Sequence, residues 1–217
     1  MKNLLYKEFK LAINPFFYVL PVLTGALMLI PYWLYFFVFL YFCFISAPNA
    51  FAFFKSQNDL MFSIMLPVRK QDIVKARILS FVGLEMLHIV IAIVYALINR
   101  QLYDYTYYLF LVPNAAFFGL VFVMFGIFNI VLFPMFYKTG YLYGAPMIVS
   151  TALAVIFAAG VELLGIYNDT IHGYLKGTVA NSTVIQISIL GGGIFIYVIT
   201  AIIAYRLSIK RFERVDI

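Results

Sequence analysis

Six long apolar stretches dominate the chain, at roughly residues 14–31, 33–54, 78–99, 108–136, 141–161 and 184–205. A helix of about 20 mostly apolar residues crosses the hydrocarbon of a bilayer, and these stretches are close to or above that length. Unbroken apolar runs, rather than alternation at period two, predict spanning helices and not the strands of a barrel. The predicted fold is all-α and integral to the membrane, with six transmembrane helices in a single domain over 1–217. The fourth stretch is long enough to predict tilt or a break near Pro134. Pro15, Pro21, Pro48, Pro113, Pro134 and Pro146 punctuate the apolar runs, where each removes a backbone donor and favours a kink.

Three segments depart from this pattern. In residues 1–13, Leu4, Leu5, Phe9 and Ala12 share one helical face, with Lys2, Lys7 and Lys10 at its margins. That spacing predicts a short amphipathic helix lying in the interface, or a plain basic anchor. Pro15 and Pro21 break the following run, so the segment does not read as a cleavable signal. Residues 161–183 are half apolar, and short helices dipping into one leaflet would account for Leu163, Leu164, Ile166 and Leu175. The third segment, 55–78, gathers Lys55, Asp59, Arg69, Lys70, Asp72, Lys75 and Arg77 between two apolar runs. Within it, 57–65 predicts a short helix with Leu60, Met61, Ile64 and Met65 on one face. Pro67 ends that helix, because a residue before proline is pushed out of the α region. A second helix is predicted to start near Lys70, with Asp72 in its first turn, and to run without a break into the third span. A short helix joined rigidly to a spanning one can act as a lever.

Composition fixes the solvent. Apolar residues make up 65% of the 217 and charged ones 11%, against about 45–50% and 25% in a soluble domain. Six spans place both termini on one side. Of the 15 Lys and Arg residues, only Arg100 and Lys176 then fall on the other side, so the termini are predicted to be cytoplasmic. The net charge of +6 is a topology signal and a contact with anionic lipid heads, not a mark of nucleic acid binding. The Tyr-rich run 103–108 and Trp33 are predicted at the outer interface. Cys43 is the single cysteine; it reads as a small buried apolar residue. Gly140 with Gly144, and the run Gly191, Gly192 and Gly193, permit close helix packing.

Glu85 and His88 lie inside the third span at i, i+3 spacing, which puts them on one face. An ionisable pair in a membrane is costly, and it calls for a role. Three readings stand open: hydrogen bonds to each other or to a neighbouring helix, with Glu85 protonated; a water-filled path or substrate contact; or a metal site, for which the chain offers only one other histidine, His172. No Gly-rich phosphate loop, Ser/His/Asp arrangement or Cys/His metal spacing occurs. The chain is therefore read as catalytically silent, and any work it does draws on a gradient or a partner.

The run "NDLMFSIMLPVRKQDIVKARI" resembles the cytoplasmic motif of small permease subunits of type-2 ATP-binding-cassette exporters, in which an acidic and hydrophobic stretch leads into a Ser-Leu-Pro signature. Ser63, Leu66, Pro67, Val68, Arg69, Ile73, Val74, Ala76 and Arg77 stand at comparable places, with Ile64 and Met65 inserted between the serine and the Leu-Pro. The basic N-terminal segment and six spans in about 220 residues extend the likeness over the chain. Within that family the chain is also similar to the permeases of the staphylococcal phenol-soluble-modulin exporter, which moves amphipathic, membrane-active peptides. The resemblance implies a permease pair, from one gene or two, in a bacterial plasma membrane. It implies separate cytoplasmic ATPase subunits carrying the ATP and magnesium, with no cofactor on this chain. It also implies an ATPase-coupling helix formed by Asp59, Leu60, Met61, Phe62, Ile64, Met65, Leu66, Pro67, Arg69 and Lys70. Two alternatives remain from the residues alone: a gradient-driven carrier using Glu85 and His88 as a proton relay, and a non-transporting membrane scaffold or immunity protein.

Overall fold

The structure, a computed structural model, describes residues 2–12, 15–65, 67–103, 108–139, 142–176 and 182–215. Among them every regular element is helical and no strand occurs. The α-helices are α1 (Lys2–Lys7), α2 (Phe16–Gly25), α3 (Phe36–Tyr41), α4 (Ala47–Ser56), α5 (Asp59–Met65), α6 (Lys70–Leu102), α7 (Ala115–Phe136), α8 (Gly144–Tyr167), α9 (Asp169–Lys176) and α10 (Ser182–Phe212). Five stretches are long and apolar enough to cross a membrane: Phe36–Ser56, α6, α7, α8 and α10.

The stretch 14–31 is shorter than expected. It forms α2 and a 3-10 turn, Ala26–Leu29. That amounts to about 23 Å of helix, against about 30 Å of hydrocarbon. The chain then turns through Tyr32, whose φ of 57° no helix can use. Phe36–Ser56 is one continuous rod in which α3 and α4 meet through a π turn, Phe42–Ser46. Pro48 lies just beyond that turn and has no N–H to give, so a local widening of the ladder is the expected response. Asn49 Nδ2 donates to the Ile45 carbonyl at 2.7 Å, satisfying a carbonyl in the same region.

The long fourth stretch resolves into two parts. Residues 108–114 stay outside the helix, and Asn114 caps α7, its Oδ1 accepting from the Phe117 N–H at 3.1 Å. Pro134 lies inside α7 without ending it. In the segment 161–183, α8 runs on to Tyr167, so most of the apolar residues there belong to a long helix, and α9 forms a separate short one. Residues 177–181, and 104–107 of the Tyr-rich run, lie outside the described residues.

Inside lipid the hydrophobic effect does not drive helices together, so close packing and polar bonds must do so. α7 is largely buried, α10 hardly at all. Around α7 a phenylalanine cluster joins α3, α4 and α6. Phe51 meets Phe136 at 4.8 Å and Phe81 at 5.7 Å, and Phe42 meets Phe125 at 5.5 Å, all close to edge-on. On its other side α7 runs parallel to α10, with backbones in contact. A Cβ on Gly193 would lie 2.1 Å from the Gly119 carbonyl oxygen, and one on Gly126 2.6 Å from Thr200 Oγ1. Of the predicted packing glycines among the described residues, only Gly193 is used in this way. Gly144, Gly191 and Gly192 meet nothing, and Gly140 lies outside the described residues.

Candidate functional site

The chain leaves α4 through Gln57 and Asn58. Asn58 takes φ = 49°, a left-handed conformation that asparagine tolerates better than most residues. Its carbonyl accepts from the Phe62 N–H at 3.0 Å, which launches α5. The helix ends at Met65, two residues before Pro67. α6 then starts at Lys70 and continues as one 33-residue helix into the membrane.

α5 does not present the face that its sequence predicts. Leu60 and Ile64 pack against the core, while Asp59 and Ser63 are buried. The outward side carries Met61, Phe62 and Met65, which are 47%, 56% and 79% exposed. The apolar pattern at 60, 61, 64 and 65 is thus split along its length. The cause is Asp59, which is drawn inward by charge and sets the rotation of the helix.

That charge belongs to a buried ionic cluster beneath α5. Arg77 of α6, 1% exposed, donates through Nε to Glu8 Oε2 at 2.6 Å and through Nη2 to Glu8 Oε1 at 3.2 Å. Its Nη2 also donates to Asp59 Oδ2. Lys7 Nζ lies 2.6 Å from Asp59 Oδ1 and 3.3 Å from Glu8 Oε1, and bonds Ser63 Oγ at 2.5 Å. The Arg77 guanidinium stands 3.8 Å from the ring centre of Phe54 on α4. Two cations and two anions balance, and each member has at least two partners. This is the condition under which a buried ion cluster becomes tolerable. Four segments meet in it: the N-terminal segment, α4, α5 and α6.

The N-terminal segment therefore differs from the expected interfacial helix. α1 passes into a π turn, Glu8–Ala12. Lys7 is buried instead of marking a polar margin, and Glu8 faces Arg77. Phe9 rests its ring on Gly83 of α6. Local periodicity carries no sign of such pairing, because the partners lie 18 and 69 residues apart. The one available signal was Glu8, a lone acid in an otherwise basic N-terminal segment, facing an excess of cations.

The remaining predicted coupling residues are dispersed. Pro67 and Arg69 are exposed, and the Arg69 carbonyl accepts from the Asp72 N–H at 2.9 Å at the start of α6. Lys70 Nζ donates to the Val215 carbonyl at 3.0 Å and lies over the ring of Phe212, so it ties α6 to the end of α10. Leu66 lies outside the described residues.

Glu85 and His88 do not bond each other. Glu85 Oε2 accepts from Asn129 Nδ2 of α7 at 2.8 Å and from the Tyr197 hydroxyl of α10. His88 faces the other way, with Nε2 3.5 Å from Thr24 Oγ1 of α2 and its ring against Phe39 and Phe42. Among the described residues, Glu85 Oε1 and Asn129 Oδ1 are buried with no hydrogen-bond partner. Asn129 and Tyr197 were not legible as its partners, since nothing in the sequence marks which faces of α7 and α10 meet α6. Among the described residues no group of three or more metal-ligating side chains occurs.

A bundle of long apolar helices, with a short helix clamped at one end by buried charge, defines a multi-pass membrane protein. Residues 3–213 match the family model described as ABC-2 family transporter protein, and the chain belongs to that family. No curated protein and no solved structure matches it. Membership makes the chain a transmembrane subunit of an ATP-binding-cassette transporter, a component that is generally non-catalytic and works with separate ATPase subunits. In a bacterium its place is the cell membrane.

Proposed function

We propose that the chain is a permease subunit of an ATP-driven exporter in which α5 is the coupling helix. The observation that carries this reading is the pairing of a fixed helix with an exposed apolar face. The ionic cluster holds α5 from beneath, while Met61, Phe62 and Met65 point away from the bundle. An apolar cluster of this kind suits a groove on a partner, and methionine adapts well to such a contact. In this reading ATP and magnesium sit on the ATPase, and the permease forms a dimer with a second copy or a paralogue. Both termini are cytoplasmic. α2 makes the sixth crossing despite its length, an arrangement supported by Phe17 lying near Ser56 at one end of the bundle and by the Asn99 side chain donating to the Met28 carbonyl towards the other. The cargo is an amphipathic or membrane-active peptide, by the resemblance to phenol-soluble-modulin exporters. Glu85 and His88, each engaged by neighbouring helices, give the proton-relay carrier no support.

The test replaces Met61 and Phe62 by Asp together, leaving Leu60 and the clamp intact. Interface anchors are worth about 2 kcal/mol or more each, so the variant should insert normally, lose the co-purifying ATPase and stop transport. Equal recovery of the ATPase with wild type and variant, at matched membrane levels, would remove α5 from the interface.

A further inference from the structure

A cavity of about 630 Å³ opens where α7 ends, α8 begins and α10 ends. Three cations line it, Lys138, Arg211 and Arg214. None of them joins an ion pair among the described residues. Arg211 is held in place because its Nη1 donates to the Pro134 carbonyl at 2.8 Å, and its side chain lines the cavity. Of the acids near in sequence, Glu213 accepts from Gln71 at 3.0 Å and forms no ion pair with the three cations among the described residues, and Asp216 lies outside those residues. The start of α8 also faces the space. Its N-cap residue, Tyr143, makes no side-chain cap; Pro146 has no N–H and the Met147 N–H is taken by the Tyr143 carbonyl, so the Gly144 and Ala145 amides are the ones that add positive potential. The walls are apolar, with Met135, Leu142 and Pro146 beside the cations. One turn further along α8, Ile148 and Val149 are exposed on a flank that faces lipid in a membrane.

Three cations and a helix N-terminus select a phosphate. Apolar walls that lead onto a lipid-facing flank select a phosphate that carries an acyl chain. We propose that this cavity is a binding site for a phosphate-bearing anion, filled by the headgroup of an anionic phospholipid such as phosphatidylglycerol. Basic pockets between spanning helices on the cytoplasmic side have the chemistry to hold such headgroups. Because the site joins the ends of α7, α8 and α10, an occupant would also tie together the helix ends beside the Lys70 contact with Phe212 and Val215.

The test is native mass spectrometry of the purified full chain titrated with dioleoylphosphatidylglycerol, with dioleoylphosphatidylcholine and with inorganic phosphate. The site variant is Lys138→Gln with Arg214→Gln, which keeps the Arg211 bond to α7. The control, Lys75→Gln with Arg206→Gln, removes the same charge from residues outside this cavity. Each cation near a membrane surface contributes about 1 kcal/mol. The site variant should therefore weaken phosphatidylglycerol binding about thirtyfold, with phosphatidylcholine unaffected and the control near wild type. If the site variant does not fold, Lys138→Gln alone should show about a fivefold loss. Displacement of the lipid by inorganic phosphate at matched concentration would support the cation site and assign it to a soluble phosphate compound. Equal weakening in the site variant and the control, or none in either, would overturn the proposal.

Discussion

At the scale of the residue, Arg77 is the hub. It stacks on Phe54, forks onto Glu8 and reaches Asp59, so removing its charge leaves two buried carboxylates with only Lys7 to answer them. Breaking a buried ion pair from one side typically costs about 3–5 kcal/mol. Arg77→Gln should therefore lower the unfolding temperature of the purified permease sharply. Glu8→Gln added to Arg77→Gln should recover part of that loss, because the uncompensated acid is gone. Additive losses in that double-mutant cycle would mean that the two side chains are not coupled. Glu85 gives the opposite expectation. Its pocket holds two acceptor atoms without donors, Glu85 Oε1 and Asn129 Oδ1, and an amide at position 85 supplies one. Glu85→Gln should preserve fold and transport. Glu85→Ala strands Asn129 and Tyr197, at about 1–3 kcal/mol for each group left unsatisfied. Loss of transport in the Gln variant with stability intact would return Glu85 to the substrate path.

At the scale of the element, the contact between α7 and α10 rests on missing side chains. Gly193→Ala puts a Cβ into the Gly119 carbonyl, where backbone and not a flexible side chain must yield. Overpacking of this kind costs about 1–3 kcal/mol. Gly191→Ala and Gly192→Ala face open space and should be silent, so thermal unfolding of the three variants tests the register of the pair. The three glycines look alike in sequence, and only the packing separates them. The same limit governed α5. Its existence was legible, because Pro67 and the restart at Lys70 bracket a short apolar period. Its rotation was not, because that depends on Asp59 finding Lys7 and Arg77 from other segments. Long apolar runs marked the helices well, since length and hydropathy suffice in a bilayer. Their ends were less legible where capping decides, as at Asn114 before α7, or where a turn intervenes, as at Tyr32 after α2.

At the scale of the whole molecule, the N-terminal segment, α4, α5 and α6 share one buried charge cluster, and α6 runs from Arg77 in that cluster across the bundle to Leu102. In the proposed function, a push on α5 reaches the spanning helix through these ion pairs. This is the physical basis for reading the segment as the point where ATP hydrolysis on a partner becomes movement of the permease. The single native cysteine, Cys43, is buried, so an introduced cysteine can carry a label by itself. The most direct measurement attaches a photoreactive benzophenone maleimide at Met65→Cys, and in a second variant at Tyr167→Cys, an exposed position at the far end of α8. Both are irradiated in membranes that contain the partner ATPase. An ATPase adduct is expected from position 65 and none from position 167. No adduct from position 65, or equal adducts from both, would contradict the reading of α5 as the coupling helix.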